Sequence, residues 1–163
     1  MRLFLGFLLG ALLLGSASDA ASFRTYHNDR FGVTADVPAG WRMGEAPEND
    51  DGRVFSSPDG SAEIIVSGSF VVLPMAEEFA LRLKAEAGET IDYTSRGRDR
   101  IVVSGRKGDR ILYRKSVLSC GGTVWNSVSL DYPAASKTAF DPIVARVAGS
   151  LRGGRGYGTG ACR

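Results

Sequence analysis

The stretch RFGVTADVPAGWRM, residues 30–43, alternates cleanly and then breaks. Phe31, Val33, Ala35 and Val37 fall on one side of an extended chain and Gly32, Thr34 and Asp36 on the other, the period-two pattern of a half-buried strand. Pro38 cannot donate to a ladder and ends the strand. Gly40 is expected to take a positive φ and turn the chain, so that Trp41 folds back onto the core as a packing plug.

Downstream, the acidic turn-formers of GEAPENDDG give way to RVFSSPDGSAEIIVSGSF. This reads as a hairpin with Pro58-Asp59-Gly60 at its turn. Met75 to Ala87 carry a helical stripe of Met75, Phe79 and Leu83, with Pro74 in the first turn and Gly88 placed as a C-cap. Strands are expected at 91–95, 100–105 and 110–119, the last turning at Gly121-Gly122 in a two-residue hairpin into 123–132. Pairing across that turn sets Ile111, Tyr113 and Val117 opposite Tyr132, Leu130 and Asn126. It leaves Lys115 facing Val128, a position that a snorkelling lysine tolerates. Asp141 and Pro142 look like an N-cap and first residue for a closing helix of Ile143, Val144, Val147 and Leu151, ended by Gly153-Gly154. These elements make an α+β domain, an antiparallel sheet of about six to seven strands with helices packed on it.

The N-terminus has a different character. Arg2, an apolar run from Leu3 to Leu14, and the small residues Ser18 and Ala20 form the three parts of a signal peptide, with cleavage expected after Ala20. The run is shorter than the ~20 apolar residues of a membrane span. Residues 21–152 then form one domain, and 153–163 a flexible Gly/Arg tail, in a periplasmic or secreted protein. The only cysteines, Cys120 and Cys162, are expected to pair in that compartment.

The formal net charge of +2 is too small for a general nucleic-acid or membrane binder. Catalytic chemistry finds little support. The only histidine, His27, stands beside Asn28 and Asp29 without a nucleophile motif. The acidic loop Glu48–Asp51 lacks the alternating ligands of a calcium loop, and neither a metal nor another cofactor is expected. The charge is nonetheless unevenly spread: Arg96, Arg98, Arg100, Arg106, Lys107, Arg110, Arg114 and Lys115 crowd the central strands. Arg110, Arg114 and Trp125 are the candidate contacts for a protein partner, against the simpler reading that exposed strand charges discourage aggregation.

The phrases FGVTADVPAGW, VFSSPDGSAEIIV and DYPAASKTAFDPIVARVAGSL resemble the PsbP-like superfamily, whose members include the photosystem protein PsbP, a Ran-binding nuclear import factor and exported bacterial proteins. The resemblance spans most of residues 23–152 and rests on turns and core positions. It implies an α/β/α sandwich and a non-catalytic binding or assembly role. A small-ligand binder or weak hydrolase with a site between helix and sheet is the alternative.

Overall fold

A computed structural model describes residues 22–154 and Cys162. The expected signal peptide and most of the expected loose tail lie outside the described residues. Nine strands and two α-helices follow in the order β1 (Phe23–His27), β2 (Thr34–Pro38), β3 (Arg42–Met43), β4 (Gly52–Ser56), β5 (Glu63–Phe70), α1 (Met75–Leu83), β6 (Thr90–Arg96), β7 (Arg100–Lys107), β8 (Arg110–Ser119), β9 (Val124–Pro133) and α2 (Lys137–Ser150). Seven of the strands form one antiparallel sheet in the order β3-β4-β5-β9-β8-β7-β6. One helix lies on each face, as the α/β/α expectation required.

The opening strand does not join that sheet. Its ladder is with β1, in a separate hairpin, with one further bridge from Thr34 to Arg152. The alternation does its work all the same: Phe31, Val33, Ala35 and Val37 are buried. The hairpin and α2 together cover one face of the large sheet, over Phe55, Ile64, Val66, Val128, Leu130 and Tyr132. Backbone bonds between Thr34 and Arg152, at 3.0 and 2.9 Å, tie the end of α2 to β2. The Ser150 hydroxyl also accepts from the Asp36 N–H at 2.8 Å. Trp41 is buried edge-on to Phe140, with ring centroids 6.1 Å apart, but Gly40 is not among the positive-φ residues. The tight return is made instead by a Trp41 N–H bond to the Pro38 carbonyl at 3.1 Å.

The β8–β9 register is the expected one, Ile111 opposite Tyr132, Tyr113 opposite Leu130 and Val117 opposite Asn126. The connection is wider than two residues, because Ser119 and Val124 form the last pair and Cys120 adopts a φ of 52°. Cys120 is bonded to Cys162, which is buried against Phe31 and Val124. Lys115 does snorkel. Its Nζ donates to the Ala148 carbonyl at 2.6 Å, placing a cation at the C-terminal end of α2 where the helix dipole favours one.

Both helix boundaries differ from expectation. α1 stops at Leu83, and Lys84 is already extended, its N–H returning to the Leu81 carbonyl. Residues 84–89 are instead held against β8, and Gly88, at φ 79°, serves a turn within that segment. α2 begins at Lys137, so Asp141 and Pro142 lie inside it. Asp141 accepts from Lys137 Nζ at 2.9 Å rather than capping. Pro142 removes one helical hydrogen bond. The early turn is held by Phe140, which stacks on Tyr132 with centroids 4.7 Å apart.

The disulfide closes a loop across 42 residues, which on the chain-entropy model stabilises by about 4 kcal/mol. Reduction, or the Cys120→Ser/Cys162→Ser pair of substitutions, is expected to lower stability by roughly 2–4 kcal/mol. Urea unfolding with and without reductant checks this; coincident midpoints would contradict it.

Candidate functional site

The second face of the sheet carries Arg110, Leu112, Arg114, Ser116 and Leu118 of β8 beside Trp125, Ser127, Ser129 and Asp131 of β9. α1 crosses part of it, setting Phe79 against Ile101, Val103 and Trp125. The helix brings a carboxylate with it. Glu78 is buried, and its Oε2 accepts from Trp125 Nε1 at 3.0 Å and from Arg82 at 2.7 Å. Its Oε1 accepts from the backbone N–H groups of Val72 and Leu73 at 2.9 and 3.1 Å. Burial alone would push this carboxyl up; the two backbone donors, Arg82 and Trp125 together outweigh burial and hold it below the usual glutamate range. Arg82 also lies over the Trp125 ring, 4.4 Å from its centroid.

The three residues expected to meet a partner share this face but not a common fate. Trp125 is 0% exposed, so its ring offers no surface to a partner. Its place is under α1, edge-on to Phe79 at 5.5 Å. Arg114 is clamped by the segment after α1, bonding Glu86 Oε1 at 3.0 Å and Glu89 Oε2 at 2.9 Å. Its Nε is buried without a partner. Arg110 pairs with Asp131 and donates to the Ser61 carbonyl at 2.9 Å, keeping 35% of its side chain exposed.

The basic segment does not converge. Arg96 lies over Phe79 at 4.1 Å, Arg106 pairs with Asp92 at 3.0 Å, and Lys115 lies on the opposite face of the sheet. Tyr113 likewise packs into the core of that opposite face. Alternation along β8 puts Tyr113 and Lys115 on one face and Arg110 and Arg114 on the other, whatever their closeness in sequence.

Two shallow grooves flank the Arg114 clamp. One, of about 550 Å³, runs between residues 81–87 and β7–β8; the other, of about 240 Å³, has Glu63, Ile65 and Asp131 on its walls. Beyond them the sheet surface is open. Val54 and Ile65, paired across β4 and β5, are 36% and 39% exposed, and Ala46 and Pro47 border a further groove beside them. Among the described residues, the hairpin and α2 cover face one over β4, β5, β9 and β8 and leave Tyr93 of β6 57% exposed, whereas the cover on face two lies over its β7–β9 half.

His27 is not part of this region. On β1 it contacts the Thr34 hydroxyl at 2.8 Å and Asp29 at 3.4 Å. In the acidic loop, Asp50 pairs with Arg53 at 2.7 Å and its carbonyl accepts from Asn28 at 2.9 Å. Among the described residues no group of three or more His, Cys, Asp or Glu side chains is placed to hold a metal ion, and no helix is long and apolar enough to cross a membrane.

Glu78, Glu86 and Glu89 organise this face, and none was singled out in the sequence. Glu78 had a signal: an acid beside Phe79 on the apolar stripe, with Arg82 four residues on.

No protein-family profile and no curated protein matches the sequence. Solved structures do match. A cyanobacterial PsbP (CyanoP) from Synechocystis aligns over 86% of this chain and 98% of its own, with a TM-score of 0.61 at 16% identity. LpqN of Mycobacterium tuberculosis aligns over 81% of this chain and 90% of its own, with a TM-score of 0.53 at 15% identity. The chain has a PsbP-like fold.

Replacing Glu78 by Gln is expected to lower stability by about 3 kcal/mol at neutral pH, because Arg82 then lacks its buried counter-charge. The folded-state pKa is depressed, so this contribution is fully present above the unfolded value of about 4.3 and is lost as pH falls through the folded value. The gap between native and variant unfolding midpoints should therefore narrow on acidification. A gap independent of pH would contradict an ionised Glu78.

Proposed function

We propose that the protein is an exported, non-catalytic binding or assembly module that engages a protein partner through the open half of its second sheet face. The observation that carries this reading is the uneven cover of the sheet, which leaves Val54 and Ile65 exposed side by side on β4 and β5. A small apolar centre with a polar rim is the usual anatomy of a protein contact. Here Glu45, Asp51 and Glu63 supply acidic groups at the rim, with Arg53, itself paired to Asp50, on the β4 side and Arg110 on the β8 side, so a partner presenting basic groups around an apolar centre fits best.

Export is supported by the three-part N-terminal segment, with cleavage after Ala20, and by the Cys120–Cys162 bond. The domain then runs from 21 to 152, followed by the tail to 163. LpqN, which shares the fold, is described as involved in cell envelope biogenesis, and a role in the envelope is the setting this reading takes from it.

Photo-crosslinking residues placed at 54 and 65, and at the exposed Ala145 of α2 as control, test the reading in the native envelope. The expected result is one species captured from both sheet positions, several-fold above position 145, with the capture at position 54 lost with Ile65→Asp. Equal capture from all three positions, or capture indifferent to Ile65→Asp, would overturn it.

A further inference from the structure

The end of the molecule where β5 runs into α1 carries a feature that the sheet face does not explain. The stretch FVVLPMA, residues 70–76, contains no polar side chain, and it is not buried. Val72 is 80% exposed, Leu73 41%, Phe70 39% and Met75 37%. Large apolar side chains in consecutive exposed positions mark an interaction site more often than chance.

The backbone donors of this loop are already satisfied by the protein itself. Val71 donates to the Thr123 carbonyl at 2.9 Å, Val72 and Leu73 donate to Glu78, and Pro74 has no N–H to place. A polar group taken out of water costs free energy unless it keeps a hydrogen bond, and these donors keep theirs. The loop can therefore leave water with its apolar side chains and strand no donor among residues 71–74.

Its surroundings are basic on two sides. Arg30 lies over Phe31, 5.0 Å from the centroid, and Phe31 packs edge-on to Phe70 at 4.9 Å. The β6–β7 turn lies at the same end of the sheet, since the Leu118 N–H donates to the Asp99 carbonyl and Val117 pairs with Arg100. That turn presents Arg98 and Arg100, both exposed. Asp29, Glu77 and Asp99 stand among these arginines, so the charge is mixed and the apolar loop is the principal feature.

We infer that this end of the protein rests on a lipid bilayer surface, with Val72, Leu73 and Met75 inserted at the headgroup–acyl boundary and Arg30, Arg98 and Arg100 meeting anionic headgroups. A convex apolar tip suits a fluid that deforms around it, whereas a protein partner would need a pocket shaped to receive it. Contact by one loop is weak and reversible, and each arginine near an anionic surface adds to it. Anchoring at this end would leave the β4–β5 face free, so the inference stands independently of the protein-partner reading.

The test uses the full chain with phosphatidylcholine vesicles, with and without phosphatidylglycerol. In an unprocessed chain residues 3–14 would bind bilayers themselves, so the probes are placed on the loop. Val72→Trp and the control Ala145→Trp are compared for emission shift and for quenching by brominated lipid; the native Trp41 and Trp125 are buried. The expected result is a blue shift and quenching at 72 and neither at 145. Leu73→Asp should weaken the response at 72 by about tenfold or more. Arg98→Glu/Arg100→Glu should weaken it several-fold on phosphatidylglycerol vesicles alone. No response at 72, equal responses at 72 and 145, or indifference to Leu73→Asp would overturn the inference. So would a protein captured at position 72 without any lipid response there.

Discussion

The buried carboxylate of Glu78 is the point on which the second half of the molecule depends. One side chain satisfies the Trp125 indole, the Arg82 guanidinium and two backbone donors of the preceding loop. Each of those partners belongs to a different piece of structure: a central strand, the helix itself, and the β5–α1 connection. A buried charge is tolerated only when it is paired and hydrogen-bonded, and here the requirement is met by drawing three elements to one place. α1 is a short helix whose stability comes from packing more than from propensity, and Glu78 fixes where it lies.

The asymmetry of the sheet follows from that placement. The first face is covered over β4, β5, β9 and β8 by the β1–β2 hairpin and α2. On the second face α1 is held over β7–β9, and the segment after it is held by Arg114 through Glu86 and Glu89. Among the described residues nothing comparable reaches β4 and β5, and Val54 and Ile65 stay exposed. The same carboxylate that seats the helix also turns the backbone donors of Val72 and Leu73 inward, leaving their side chains outside. The exposed loop is therefore tied to Glu78 directly, and the β4–β5 patch lies where α1 does not reach.

Much of the fold was legible because it is written in short periods. Alternation over 31–37 found the buried side of β2, and the Gly121-Gly122 turn centred the β8–β9 hairpin and so gave its register to the residue, although the connection is longer than two residues. What the sequence did not carry was which stretches of a face are covered. Trp125 and Arg114 share a face by register, yet one lies under α1 and the other at its margin, a difference set by a helix forty residues away in sequence. The helix ends failed for related reasons. Ala85 and Ala87 favour helix, but the clamp on Arg114 needs Glu86 and Glu89 in a turn. Asp141-Pro142 has the form of a helix start, but stacking of Phe140 on Tyr132 extends the helix upstream of it. The arginine cluster suggested one basic patch because neighbours in sequence were read as neighbours in space. The strand pleat separates them.

Amide hydrogen exchange of Val72 and Leu73, read residue by residue, tests the central role of Glu78 most directly. If the carboxylate holds both donors in a buried site, these amides exchange as slowly as those of the core strands, although their side chains lie in the open. Exchange at the rate of an ordinary exposed loop would contradict the account, because the carboxylate would then not be tying the loop to α1 and Trp125.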